Sequence, residues 1–140
     1  MLIARATRHD KGDLEAFYAA HEWTDPHLEQ GVSFIARQGG IVAGLTVIDV
    51  APQTVIIEDV LVDENQRGRG LGTQLLQAAM NSRGGTMVLC CHDERIAFYG
   101  RLGFEEVPFD QLPEAAQRFM RDDHAYPFTP DHVHHFMKAR

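Results

Sequence analysis

The sequence predicts a mixed α/β (α+β) fold, with residues 1–140 forming a single domain. Three observations carry this. β-rich segments follow one another in the first half, at Val32–Arg37, Ile41–Val50 and Thr54–Val62. A loop rich in glycine and arginine, Gln66-Arg67-Gly68-Arg69-Gly70-Leu71-Gly72, separates the last of them from a stretch of helical periodicity. Helix and strand patterns then alternate toward the C-terminus.

Leu2–Ala6 reads as a short strand. His9–Ala20 reads as a helix, with Leu14, Phe17 and Tyr18 on one face and Thr7 or Asp10 near its start. His21–Gly31 is polar, contains Asp25-Pro26, and reads as a short helix or loop. Gln38-Gly39-Gly40 is a hairpin signal, and Ala51-Pro52-Gln53 is a second turn. The helix from about Gly70 is stopped by Arg83-Gly84-Gly85. Thr86–Cys91 is the next strand. Ile96, Phe98, Tyr99 and Leu102 then form an apolar stripe at helical spacing, with Gly103 where a C-cap glycine belongs. Phe104–Val107 starts a new strand. Leu112–Arg121 reads as a further helix with Pro113 in its first turn. Asp122–Pro130 reads as a loop, and His132–Lys138 as a terminal strand.

Length and composition narrow the function classes. A chain of 140 residues suits one core. The net charge of -7 argues against a general nucleic-acid or membrane-surface binder, since both need a basic face. No apolar run approaches the ~20 residues of a membrane span, and the strand-like start at Leu2-Ile3-Ala4-Arg5 gives no signal-peptide pattern. Cys90 and Cys91 are adjacent, so on a strand they face opposite ways and do not pair. These features lead to the expectation of a reducing, cytoplasmic setting.

The glycine loop has a direct physical reading. A turn between a strand and a helix N-terminus gathers free backbone N–H groups around one point. The helix dipole and the charges of Arg67 and Arg69 add to their field. That is an anion cradle, suited to phosphate or pyrophosphate. A charged surface turn is the plainer alternative. A Walker A loop is excluded because no lysine follows the glycines. A dinucleotide fingerprint is excluded because Thr73 stands where its third glycine belongs. The pattern R/Q-x-x-G-x-G/A is met by Arg67, Gly70 and Gly72, and resembles the coenzyme A loop of the GCN5-related N-acetyltransferases (GNAT). Ile96-Ala97-Phe98-Tyr99-Gly100-Arg101-Leu102-Gly103-Phe104 is similar to a second segment of that family, in the same order along the chain.

The resemblance implies a twisted mixed sheet of six or seven strands flanked by about four helices. Its two central parallel strands, here Thr54–Val62 and Thr86–Cys91, splay apart around the cofactor's pantetheine arm. It also implies acetyl-CoA as cosubstrate; no metal is expected, since no Cys/His signature appears. The backbone of Arg67, Gly68, Arg69, Gly70, Leu71, Gly72 and Thr73 would take the pyrophosphate, with the Thr73 hydroxyl adding a bond. A backbone N–H of Leu61 or Val62 would stabilise the tetrahedral oxyanion. Tyr99 would protonate the leaving thiolate; read alone, it is an aromatic packed at a helix edge.

An amine acceptor must lose a proton before it attacks, because an alkyl ammonium has a pKa of ~10.4. Glu58 and Asp59 are the best-placed acids for this. Neighbours in a strand alternate, so one of the two at most is expected to face the site. Glu58 is the favoured base, with substrate binding or a structural hydrogen bond as the alternative for both. Where many relatives carry Asn and Ala ahead of the tyrosine, this chain has His92 and Arg95. His92 reads as a cofactor or water ligand, as a base, or as a solvated strand-end histidine. His132 and His134 share a strand face that His124 could approach, but no spacing signature for a metal appears.

Ile57–Asp63 resembles the corresponding strand of glucosamine-6-phosphate N-acetyltransferases, and Cys91–Glu94 does so more faintly. Leu112–Pro130 has no counterpart in that minimal enzyme. The expected reaction is acetyl transfer to a primary amine of a small molecule. A non-catalytic acyl-CoA sensor and a protein N-acetyltransferase are the alternatives. A homodimer is expected only as the common state of the fold.

Overall fold

A computed structural model of the chain describes residues 2–139. Seven strands and four α-helices lie among the described residues. In order they are β1 (Leu2–Arg5), α1 (Lys11–Ala20), β2 (Val32–Gln38), β3 (Gly40–Ala51), β4 (Thr54–Val62), α2 (Leu71–Ser82), β5 (Thr86–Cys91), α3 (Ile96–Gly100), β6 (Glu105–Val107), α4 (Glu114–Asp123) and β7 (His135–Ala139). The strands form one mixed sheet in the order β1-β2-β3-β4-β5-β7-β6. β4 and β5 are parallel; β1–β2, β2–β3, β5–β7 and β6–β7 are antiparallel. This is the expected α/β architecture. No helix among the described residues is long and apolar enough to cross a membrane.

The chain packs as two compact units. One comprises the chain through Ile48 together with Ile57–Arg83; the other comprises Asp49–Ile56 and the chain from Gly84 onward.

In the first unit, α1 starts two residues later than its pattern predicts. Thr7 caps a 3-10 turn, Arg8–Asp10, in a reciprocal box. The Thr7 hydroxyl accepts the His9 N–H, and the Asp10 carboxylate accepts the Thr7 N–H at 2.8 Å. Arg37 on β2 donates to Asp10 at 2.7 Å and to Asp13 at 3.1 Å, which ties the helix start to the sheet. Leu14, Phe17 and Tyr18 are buried with Ile35, and Trp23, Leu28 and Leu61 pack on this cluster. The stretch His21–Gly31 contains no helix and runs as a series of turns. α2 buries Leu71, Leu75, Leu76 and Ala79, one apolar stripe, against β1 and β2.

In the second unit, the β4–β5 ladder consists of Thr54↔Thr86, Val55↔Met87 and Ile56↔Val88. β5 is launched beside β4 by a close approach. Gly85 sits at φ +86, and a Cβ there would lie 2.4 Å from the Gln53 carbonyl oxygen. That same carbonyl accepts the Thr86 N–H at 2.8 Å. α4 begins after Pro113 and buries Ala116 and Met120. Around it, Phe109 stacks on Tyr126 with centroids 3.9 Å apart, Phe128 stacks on Phe136, and the Arg121 guanidinium lies 5.0 Å over the Phe109 ring. The terminal strand is shorter than its pattern predicts. His132 closes a 3-10 turn opened by Pro130, and β7 begins only at His135, so His132 and His134 do not alternate on a strand. The His132 side chain lies outside the described residues.

Two outcomes follow for stability. Gly85→Ala will cost about 2–3 kcal/mol in urea denaturation, whereas Gly84→Ala, whose Cβ meets only ordinary contact, will stay within about 0.5 kcal/mol. The carboxyl of Asp10 is held below the usual range, first by the Thr7 backbone N–H and then by Arg37. Its folded-state pKa is thus depressed, so its stabilisation is complete above the ordinary carboxylate pKa and disappears as pH falls through the folded value. Asp10→Asn will therefore flatten the fall of melting temperature between about pH 5 and pH 3.

Candidate active site

The glycine loop opens the N-terminus of α2 as an uncapped helix end. Gly68 and Gly70 have φ of +83 and +77, a region where side chains are strained. No protein atom lies within 4 Å of the place a Cβ would take at either residue. Gly70 is the N-cap and supplies no side-chain hydrogen bond, so no capping side chain serves the N–H groups of the first turn, Leu71 to Thr73. Arg67 and Arg69 are exposed, and Arg67 Nε donates to the Val62 carbonyl at 3.3 Å. Open space, unused donors, a helix dipole and two guanidinium groups fit a pyrophosphate.

Upstream on β4, the alternation expected at Glu58 and Asp59 is broken. Asp59 has φ +59, a left-handed residue inside a strand, which Asp tolerates better than most. Its carboxylate is buried and accepts from Trp23 Nε1 at 3.1 Å, from the His27 backbone N–H at 2.7 Å and from His27 Nδ1 at 3.0 Å. An ionised carboxylate only accepts, so Nδ1 carries the imidazole proton. The Asp59 carbonyl accepts the Tyr18 hydroxyl at 2.6 Å. Burial, and then the Asp59 charge, push the Tyr18 phenol upward, so it stays a donor. Gly44 on β3 makes room for that hydroxyl: a Cβ there would lie 3.1 Å from the Tyr18 oxygen. Glu58 is partly exposed, while Leu61 and Val62 are half-buried, with Leu61 packed on the α1 cluster.

Tyr18, Trp23 and His27 of this network also line a cavity of about 450 Å³ in the first unit. Lys11, Glu15, Trp23, Asp25, His27 and Glu29 are among its lining residues. Lys11 Nζ pairs with Glu29 Oε1 at 2.5 Å, so the lining carries more carboxylate than ammonium charge.

In the second unit, Tyr99 is buried in α3, its ring between Phe98 at 5.1 Å and Phe104 at 5.9 Å. The turn after α3 folds back on it: the Tyr99 carbonyl accepts the N–H groups of Leu102 and Phe104, with Gly103 at φ +97 between them. His92 is exposed at the start of a 3-10 turn, its ring edge-on to His134 at 4.4 Å.

The model of the acetyltransferase (GNAT) domain matches residues 29–106, more than half of the chain. The chain belongs to the GNAT acetyltransferases. It is an acetyl-CoA-dependent acyltransferase by that membership. The matched part includes the glycine loop, Asp59 and Tyr99, and stops before α4.

Solved structures share the fold. A GNAT-family acetyltransferase from Staphylococcus aureus is 19% identical with a TM-score of 0.70, over 99% of this chain and 97% of that one. The Escherichia coli protein ElaA is 15% identical with a TM-score of 0.72, over the whole of both chains. N-acetylglutamate synthase from Neisseria gonorrhoeae, solved with coenzyme A and N-acetylglutamate, is 13% identical with a TM-score of 0.67; the match covers all of this chain and 35% of that one. A search of curated proteins gives no match.

The sequence pointed to the loop and Tyr99 as candidates and did not identify Tyr18, Trp23 and His27 as partners of Asp59. The one available signal was Gly44, a glycine inside a strand pattern, which marks a close approach. Asp59→Ala leaves three donors without their acceptor and will lower unfolding free energy by about 3–4 kcal/mol. Asp59→Asn keeps the backbone conformation and one acceptor, and will lose less, as read by urea denaturation and by the Trp23 fluorescence shift.

Proposed function

We propose that this enzyme acetylates a primary amine of a small, cationic molecule, by direct attack of the amine on the acetyl-CoA thioester through a tetrahedral intermediate. The cavity lined by Trp23 and His27 carries this reading. Its volume suits a small molecule rather than an extended peptide, and the carboxylates of Glu15 and Asp25 on its lining attract an ammonium group.

In this reading the N–H groups of the 67–73 loop and the Thr73 hydroxyl hold the pyrophosphate, with Arg67 and Arg69 adding charge. A backbone N–H of Leu61 or Val62 polarises the thioester carbonyl. Glu58 removes the ammonium proton directly or through water, and His92 is the second candidate for that step. Tyr99 protonates the departing thiolate; a thiol pKa near ~8.5 means that modest acid assistance suffices. Asp59, whose carboxylate is already engaged, positions Trp23 and His27 rather than moving a proton. Cys90 and Cys91 are reduced and form no disulfide, which supports a reducing, cytoplasmic setting.

The test couples thermal melting to a thiol-release assay over a panel of amines: polyamines, amino acids, an aminoglycoside and glucosamine-6-phosphate. Acetyl-CoA will raise the melting temperature, and a cationic amine will release free coenzyme A. Tyr99→Phe will lower kcat about 100-fold with KM for acetyl-CoA little changed. Arg69→Ala will raise that KM with kcat retained. Turnover restricted to peptide or protein amines would sink the small-molecule reading.

A further inference from the structure

The second unit holds a group of metal-ligating side chains that acyl transfer does not use. Cys90 on β5, His124 at the C-terminal end of α4 and His134 just before β7 bring one sulfur and two imidazoles together, with ligand atoms all within 4.8 Å of one another. The sheet register makes this meeting possible. Cys90 pairs with Phe136, and His134 lies two residues before that partner, just ahead of the strand, with its ring 3.7 Å from the Cys90 sulfur. Cys91 pairs with His135 and faces the other way into the core, where burial pushes its thiol up to about 11.

We propose that Cys90, His124 and His134 bind a zinc-class divalent cation, with solvent as the fourth ligand. The spacing supports this. Cys90 Sγ lies 3.6 Å from His124 Nδ1 and 3.7 Å from His134 Nδ1. Bond lengths of about 2.3 Å for Zn–S and 2.0–2.1 Å for Zn–N, at a tetrahedral angle, separate sulfur from nitrogen by roughly 3.6 Å. The sulfur is nearly equidistant from both nitrogens of His124, being 3.7 Å from Nε2. Asp123 breaks that tie. Its Oδ2 lies 3.4 Å from Nε2, an ion-pair contact that favours a proton on that nitrogen and leaves Nδ1 for the cation. A carboxylate behind a ligating imidazole is the usual outer-shell arrangement. One thiolate and two imidazoles are the donor set of a borderline-soft ion, not of calcium or magnesium. Binding releases the Cys90 thiol proton to solvent. All three ligands are half-buried, which leaves water access to the fourth position.

The site also has a structural consequence. His124 and His134 flank the 125–133 segment, so the ion ties that segment and the end of α4 to β5. The assignment goes beyond the acyl-transfer reading and does not depend on it.

The test uses full-length protein without a histidine tag, stripped with chelator and kept reduced. Stoichiometric Co²⁺ will give a thiolate-to-cobalt charge-transfer band, and Zn²⁺ will abolish it by displacement. Zinc will raise the melting temperature of the stripped protein. Cys90→Ser will lose the band, and His134→Gln and His124→Gln will weaken metal affinity at least about tenfold. Asp123→Asn will weaken it about 10- to 100-fold. Cys91→Ser will keep the band. Circular dichroism checks that each variant is folded; if Cys90→Ser unfolds, His134→Gln carries the comparison. Absence of the band in the wild type, its persistence in folded Cys90→Ser, or its loss in folded Cys91→Ser would each overturn the assignment.

Discussion

A buried carboxylate at a left-handed residue organises the first unit. Asp59 gathers the Trp23 indole and two donors of His27, while its own carbonyl holds the Tyr18 hydroxyl. A carboxylate with a side-chain exposure of 1% is costly to bury unless its oxygens are satisfied. Here all the carboxylate's donors come from a segment with no regular structure, while α1 supplies the Tyr18 hydroxyl to the Asp59 backbone carbonyl. The desolvation penalty thus becomes a constraint: turns 21–31 are held in an arrangement that presents Trp23 and His27 to the Asp59 carboxylate. The cavity next to them exists because those turns are held in place.

The glycine loop works by the opposite logic. Asp59 is crowded with donors, whereas the start of α2 leaves its first-turn donors facing open space. The first-turn residue Leu71 is itself buried in the stripe that fixes α2 on β1 and β2. The helix end is therefore rigid before anything binds. Preorganised donors lose little entropy when an anion arrives, which is why such ends make effective phosphate sites.

Local physics made much of this visible in the sequence. β4 and β5 lie where the apolar runs predict them, because short buried strands bounded by Gly and Pro are well marked. α2 matches because both of its ends are punctuated by glycine. The failures have a common cause. The left-handed residue at Asp59 is a backbone event imposed by tertiary contacts, and strand alternation is blind to it. The late start of β7 reflects Pro130 opening a turn inside what reads as a β pattern. The Cys90–His124–His134 group unites three elements far apart in sequence, so no spacing rule announces it. Tyr99 was identifiable through its resemblance to the family segment, while its packing between Phe98 and Phe104 needed the fold.

The cavity of the first unit is lined by two kinds of residue, which bears on how such a surface diversifies. Trp23, His27 and Asp59 fix the backbone of the wall through buried hydrogen bonds. Glu15, Asp25 and Glu29 lie on the exposed side of it, outside that network. Exchanging these three alters the charge met by an incoming molecule while leaving the buried donors and acceptors matched. The charge of this cavity can thus drift by surface substitution, with the buried scaffold acting as an evolutionary chassis.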